Sequence, residues 1–225
     1  MYETKDLIKL FYPSILTICM EHLSIDTIKT WERFYRANFI NCLSGFKSAN
    51  LIGTVNKERQ HNLAVFSSVV HLGSDPALIG FINRPLAAAP HTINNIKATG
   101  VYTINHINPY FVEKAHQTSA KYPAEVNEFK AVGLTEQFID NVIAPFVSES
   151  NIKYALKLVE IVPIKQNKTF LVIGEITDVI VPEGLIANDG FININEANSM
   201  VCLGLDAYYT TTNAVRYGYA RIPKQ

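Results

Sequence analysis

The chain has 225 residues, 48% hydrophobic and 18% charged, the length and balance of one globular domain with a real core. Lys plus Arg equals Asp plus Glu at 20 each, so no basic excess draws nucleic-acid phosphates or an anionic membrane surface. Three scattered cysteines, Cys19, Cys42 and Cys202, show no CxxC spacing; they support neither a zinc ribbon nor a redox pair and fit a reducing, cytoplasmic setting.

Near the start, Leu10 to Met20 is an apolar run interrupted by Pro13. It is shorter than the roughly 20 residues that a bilayer needs. Lys5 and Lys9 precede it as in a signal peptide, but Glu21, His22 and Leu23 follow instead of a small-x-small cleavage site. Residues 1–23 therefore read as an N-terminal extension, with Met20 as an alternative start that would place residues 1–19 upstream of the protein.

Ser24 or Asp26 can cap a helix running to about Asn38, with Ile28, Trp31, Phe34 and Tyr35 on one face. Ser44 to Ser48 reads as a turn. Asn50–Val55 and Asn62–Val70 read as a hairpin joined by the polar loop Asn56–Gln60. Ala77–Ile82 is a short strand after Pro76, and Arg84–Pro90 is a loop between prolines. Thr92 reads as the cap of a short helix through Ile96 that Gly100 ends. Val101–Ile107 is strongly β-prone, Phe111–Lys121 reads as a helix stopped at Tyr122-Pro123, and the stretch from Glu128 to Thr135 is mixed. Ile152–Ile161 and Thr169–Val181 are the later strands. Ile194–Ala197 reads as one helical turn, and residues 210–225 as an extended or mobile tail.

Six or seven strands with small inserted helices, without regular βα alternation, predict a mainly β barrel or closed sheet with helical decorations. The working domain spans 24–209. No GxGxxG, GxxxxGK[ST] or GxSxG occurs, and the six histidines form no HxxxH pair, so Rossmann, Walker, α/β-hydrolase and metal chemistry are unsupported. A short strand ending in Ser67-Ser68 and a His91-Thr92 pair opening an amphipathic segment remain. Hydroxyls and free helical N–H groups can hold a phosphate and the polar edge of a heterocycle. Taken singly, Ser67-Ser68 can equally close a strand, Thr92 can be a cap without a ligand, Arg84 a solvated loop residue, and Asn95 a partner of loop backbone.

The order and spacing of several segments resemble the flavin reductase-like family of FMN-binding split β-barrels. They are Ser48–Thr54, Asn62–Ser68, Asp75–Phe81, His91-Thr92 with Asn95-Ile96, Tyr102–Asn105, Asn127–Phe129 with Gly133–Thr135, and Gly174–Ile176. The resemblance covers about Asn38 to Tyr209. It implies a homodimeric split barrel with FMN in a groove near the subunit interface. It also implies that Ser67 and Ser68 hydrogen-bond the flavin or its ribityl chain, that Asn50 faces the ring, that Arg84, His91 and Thr92 surround the phosphate, and that Phe66 and Asn95 belong to the cofactor site. In similar proteins the helix carrying His116 lies near the cofactor, which makes His116 a candidate for tuning the ring or meeting the nicotinamide. Many family members begin the barrel with a Pro-rich strand, where this chain has Ser44–Ser48. The activity implied is NADH- or NADPH-dependent reduction of flavin. The alternatives are a flavin-binding or storage protein with little turnover, or a split barrel that oxidises pyridoxamine phosphate.

Overall fold

The computed structural model describes residues 19–212 and 214–222. The chain divides into two compact units, residues 1–39 and 40–225. The apolar run from Leu10 lies outside the described residues except for Cys19 and Met20, both exposed.

In the first unit the expected single helix is two. α1 (Ile25–Thr30) is capped by Ser24, whose hydroxyl accepts the N–H of Thr27 at 3.1 Å. The helix stops because Trp31 is extended, and Glu32 then restarts it: its carboxylate accepts the N–H groups of Phe34 and Tyr35 at the head of α2 (Arg33–Leu43). Trp31 meets Tyr35 and Phe39 edge-on, at centroid separations of 5.1 and 5.0 Å.

The second unit is built on one seven-stranded antiparallel sheet. Its strands are β2 (Asn50–Val55), β3 (His61–Phe66), β4 (Val69–Ser74), β5 (Ala77–Asn83), β6 (Val101–His106), β9 (Lys153–Ile164) and β10 (Thr169–Ile180), after a short β1 (Lys47–Ser48). The order across the sheet is β3-β2-β6-β9-β10-β5-β4. The two edge strands, β3 and β4, are consecutive in the chain, so the expected continuous strand Asn62–Val70 is broken at Ser67-Ser68. Two residues cannot cross a flat sheet of this width; the sheet curls until its edges are neighbours. No ladder joins them, and the result is a split barrel.

Aliphatic and aromatic residues of the sheet pack with the helix His91–Thr99 in one cluster: Ile52, Phe81, Ile93, Ile96, Tyr102, Ile104, Leu156 and Val172. A second cluster around Leu51, Leu63, Phe111, Phe129 and Met200 packs the helices and the C-terminal strands against β2 and β3. The helices are α3 (His91–Thr99), α4 (Val112–Gln117) and α5 (Glu128–Val132). α3 ends at Gly100 in the left-handed conformation, as expected, whereas α4 is shorter than Phe111–Lys121.

Directly after the stretch read as mixed comes a hairpin, β7 (Glu136–Ile139) and β8 (Val142–Val147). Ile194–Ala197 lies in a turn, and a three-stranded sheet orders β1 beside β11 (Met200–Leu203) and β12 (Ala207–Thr210). Residues 214–222 carry no helix or strand.

β8 belongs to no ladder of the main sheet, yet it lies against β2 and β6. Thr103 Oγ1 donates to the carbonyl of Pro145 at 2.6 Å, and Asn105 Oδ1 accepts the N–H of Val147 at 2.9 Å. The approach is possible because Gly53 has no side chain; a Cβ there would collide with the Pro145 carbonyl and crowd the Thr103 hydroxyl. Gly53→Ala is expected to destabilise the protein by about 3 kcal/mol, the upper range for overpacking against backbone. Urea unfolding measures this; a loss under about 0.5 kcal/mol would contradict the close packing of β8.

Candidate functional site

Two cavities of about 270 and 290 Å³ adjoin each other, the second lined by Phe66, Ser67, Ser68 and Ile82 at the split. Ala64, Arg84, Ala89, Thr92, Thr118 and Ser119 line both, so they form one continuous groove.

The first cavity is polar and carries positive charge. Arg84 opens the loop after β5, and Asn83 shapes that loop by donating to the carbonyls of Arg84 at 2.7 Å and Ala89 at 3.1 Å. Small side chains at Ala87, Ala88 and Ala89 leave the space open. Pro90, not Thr92, occupies the N-cap of α3. Proline brings no side-chain oxygen to the first-turn amides, which stay available to a ligand. Thr92 lies in that first turn, buried, with its Oγ1 accepting from Asn62 Nδ2 at 3.3 Å. His91 and Lys121 stand on the same wall, and among the described residues Arg84 has no carboxylate partner. An uncapped helix start, a guanidinium and a lysine are a donor set for an anion.

One carboxylate shares this wall. Glu128 is buried and accepts the N–H of Leu63 at 3.1 Å. Burial raises its pKa above the usual glutamate value, opposed by the backbone donor at Leu63 and the charge of His91. Its oxygen is held toward β3.

The second cavity is walled by Val65, Phe66, Leu205 and Tyr208, with Ser67, Ser68 and Cys202 among them. Phe66 is braced edge-on by Phe81 at 5.0 Å. Ser68 Oγ donates to the Ile82 carbonyl at 3.1 Å and accepts the Ile82 N–H at 3.2 Å, so this hydroxyl stitches β5 across the split. Burial pushes the Cys202 thiol up, opposed by nearby Lys47 and by a hydrogen bond from Ser67.

Of the eight residues expected at a cofactor, the structure gathers six in the groove: Phe66, Ser67, Ser68, Arg84, His91 and Thr92. Asn95 does not line it; its Nδ2 donates to Thr54 Oγ1 on β2 at 3.1 Å. Asn50 is fully buried behind it, donating to the Ser48 carbonyl and hydroxyl, with Oδ1 unpartnered. His116 lines neither cavity but reaches Tyr208, which does. Sequence reasoning left Tyr208, Lys121 and Glu128 out of the site. Asn127-Glu128-Phe129 was legible as a motif, but nothing local marked its carboxylate as a groove wall.

The flavin reductase like domain model matches residues 43–195. A split-barrel protein of Shewanella frigidimarina, provisionally named a flavin reductase, shares 48% identity and superposes with a TM-score of 0.86, over 89% of this chain and 100% of that one. Flavoredoxin of Desulfovibrio vulgaris, at 24% identity and a TM-score of 0.67 over 78% of this chain and 92% of that one, is alike in fold. A protein of Aquifex aeolicus without an assigned activity is 28% identical over 144 residues, 61% of this chain and 72% of the relative.

The raised pKa of Glu128 has a definite sign. A carboxyl bound more tightly to its proton in the folded state stabilises the fold below the unfolded-state value of 4.5, and this advantage is lost as pH rises through the folded-state pKa. Glu128→Gln keeps an acceptor for the Leu63 N–H and removes the ionisation. Its unfolding free energy relative to the wild type should therefore rise as pH climbs from 4 toward neutrality. Parallel profiles in denaturant titrations would contradict this.

Proposed function

The chain belongs to the flavin reductase-like domain family, and from that premise we propose that it is an FMN-binding oxidoreductase that uses NADH or NADPH to reduce flavin. The observation that carries the reading is the continuity of the groove, an anion-binding end running without a break into an apolar-walled, hydroxyl-edged one. A phosphate joined to a planar heterocycle has that chemistry, and the donor set fits FMN.

FMN, when bound, supplies the two-electron chemistry. The tasks left to this chain are binding, orientation and exclusion of water. Arg84 and the open first turn of α3 would hold the phosphate, with Lys121 and His91 adding positive charge. Phe66, Val65 and Tyr208 would shield one side of the ring, and Ser67 would present a polar edge. Glu128, held to the Leu63 N–H, has that oxygen directed to protein backbone instead of the anion. The groove holds no nucleophile–base dyad among the described residues, in keeping with a reaction that needs placement more than acid–base groups.

The reading extends to a homodimer working in the cytoplasm. Val70, Leu72, Val159 and Val179 are large aliphatic side chains left about half exposed on β4, β9 and β10, a supply of apolar surface for a second copy. No helix among the described residues is long and apolar enough to cross a membrane.

Absorption spectra of the purified protein with FMN, before and after anaerobic NADH or NADPH, test the activity. Flavin bands that bleach support the reductase; bands that persist with both donors move the reading to a flavin carrier. Arg84→Ala should weaken FMN binding about tenfold, the loss typical of a charge-assisted hydrogen bond. Unchanged affinity in equilibrium dialysis would remove the phosphate from this end of the groove.

A further inference from the structure

The ring-side wall carries a polar pair whose arrangement exceeds what packing requires. Tyr208 stands on β12 directly opposite Cys202 of β11, and both side chains line the second cavity. The Tyr208 hydroxyl lies 3.1 Å from His116 Nδ1, and the two rings meet edge-on at 5.7 Å. These residues are 92 positions apart, joined across the groove wall by one hydrogen bond between α4 and β12.

Two other hydroxyls around this cavity are committed to backbone. Ser68 both donates to and accepts from Ile82, and Thr118 donates to the Ala115 carbonyl at 2.7 Å. Ser67 stands beside the Cys202 thiol, and Thr92 Oγ1 accepts from Asn62 Nδ2. Ser119 is solvent-exposed where the cavities join. Tyr208 is half-buried, and burial, with Cys202 and Asp206 beside it, pushes its phenol pKa up to about 12, so the group stays neutral, and its hydrogen is free for the groove when His116 Nδ1 is the donor of the pair.

We propose that Tyr208 is the hydrogen-bond donor to the ring held in this cavity, and that His116 is its positioning residue. His116 donates from Nδ1 to the phenol oxygen, which leaves the phenol hydrogen directed at an acceptor in the groove. The inference rests on the FMN reading above and gives that reading a direction. A reduced flavin ring carries more negative charge than an oxidised one, and a donor gains strength as its acceptor gains charge. Tyr208 therefore binds the reduced ring in preference to the oxidised ring, and His116 acts without touching it.

The test is the affinity of the full-length apoprotein for oxidised FMN and, anaerobically, for reduced FMN. It is made on the wild type, Tyr208→Phe, His116→Leu, His116→Asn and the double variant Tyr208→Phe/His116→Leu. Tyr208→Phe should lose about tenfold more affinity for reduced than for oxidised FMN, the size of one hydrogen bond to a charged group. His116→Leu should match it. His116→Asn, whose amide sits where Nδ1 stood, should recover to within about threefold of the wild type, and the double variant should be no weaker than Tyr208→Phe. A Tyr208→Phe protein with the wild-type unfolding temperature that keeps both affinities, or loses both equally, overturns the proposal. Should Tyr208→Phe fail to fold, the two His116 variants decide: equal ratios in Leu and Asn overturn the positioning role and the proposal with it. A wild type that binds neither form of FMN defeats the underlying cofactor reading instead, an outcome visible before any variant is compared.

Discussion

The crossing at Ser67-Ser68 constrains everything around it. A flat sheet of seven strands would hold its outer strands about 29 Å apart, at the usual spacing between neighbours. The chain goes from Phe66 on one edge to Val69 on the other, a reach of about 10 Å. The sheet has to curl, and the edge backbones then face each other without hydrogen-bonding as a ladder. Ser68 spans the breach by taking both backbone groups of Ile82 onto one hydroxyl. The groove is lined by Phe66, Ser67, Ser68 and Ile82 at that breach, by the head of α3, by residues just after α4 and by the β11–β12 hairpin.

A second constraint holds the barrel's far flank. β8 pairs with β7 but contributes no rung to the main sheet, so the backbone groups it turns toward that sheet must find side chains. Asn105 accepts the Val147 N–H and donates to the Leu51 carbonyl, and Thr103 takes the Pro145 carbonyl. Lys153, buried at its base, donates to the carbonyls of Val147 and Ser148. Burial lowers the pKa of that ammonium, opposed by Glu149. Loss of any one member strands a buried polar partner, which costs more than the bond itself contributes. These residues sit on β6 and β9, the central strands, so the support of β8 and the alignment of the barrel are one problem.

The groove shows how a chain of zero net charge can build a cationic pocket. Arg84 comes from the end of β5, His91 from the head of α3 and Lys121 from the segment after α4. Nothing in the overall charge balance announces them. The proline at the N-cap adds to the effect by omission, since an oxygen-bearing cap would occupy amides that an anion can use. At the other end, Ser68 and Thr118 are committed to backbone while the Tyr208 hydroxyl meets the imidazole of His116.

Local chemistry in the sequence determined the strands and the family pattern. Runs such as Asn50–Val55, Val101–His106 and Thr169–Ile180 are rich in β-branched and aromatic residues, and Gly100 is suited to the left-handed residue that ends α3. Six of the eight expected site residues reach the groove because motif spacing tracks backbone position. Only the tertiary structure decided where side chains on that backbone turn. Asn95 meets Thr54, Ser68 is spent on Ile82, the helix expected from Ser24 breaks at Trp31, and β7, β8, β11 and β12 emerge from stretches with weak signals of their own. The physical reason is range. Periodicity and capping act over a few residues, whereas a hydrogen-bond partner is chosen by whatever strand folding brings alongside, as with Asn62 and Thr92 or His116 and Tyr208.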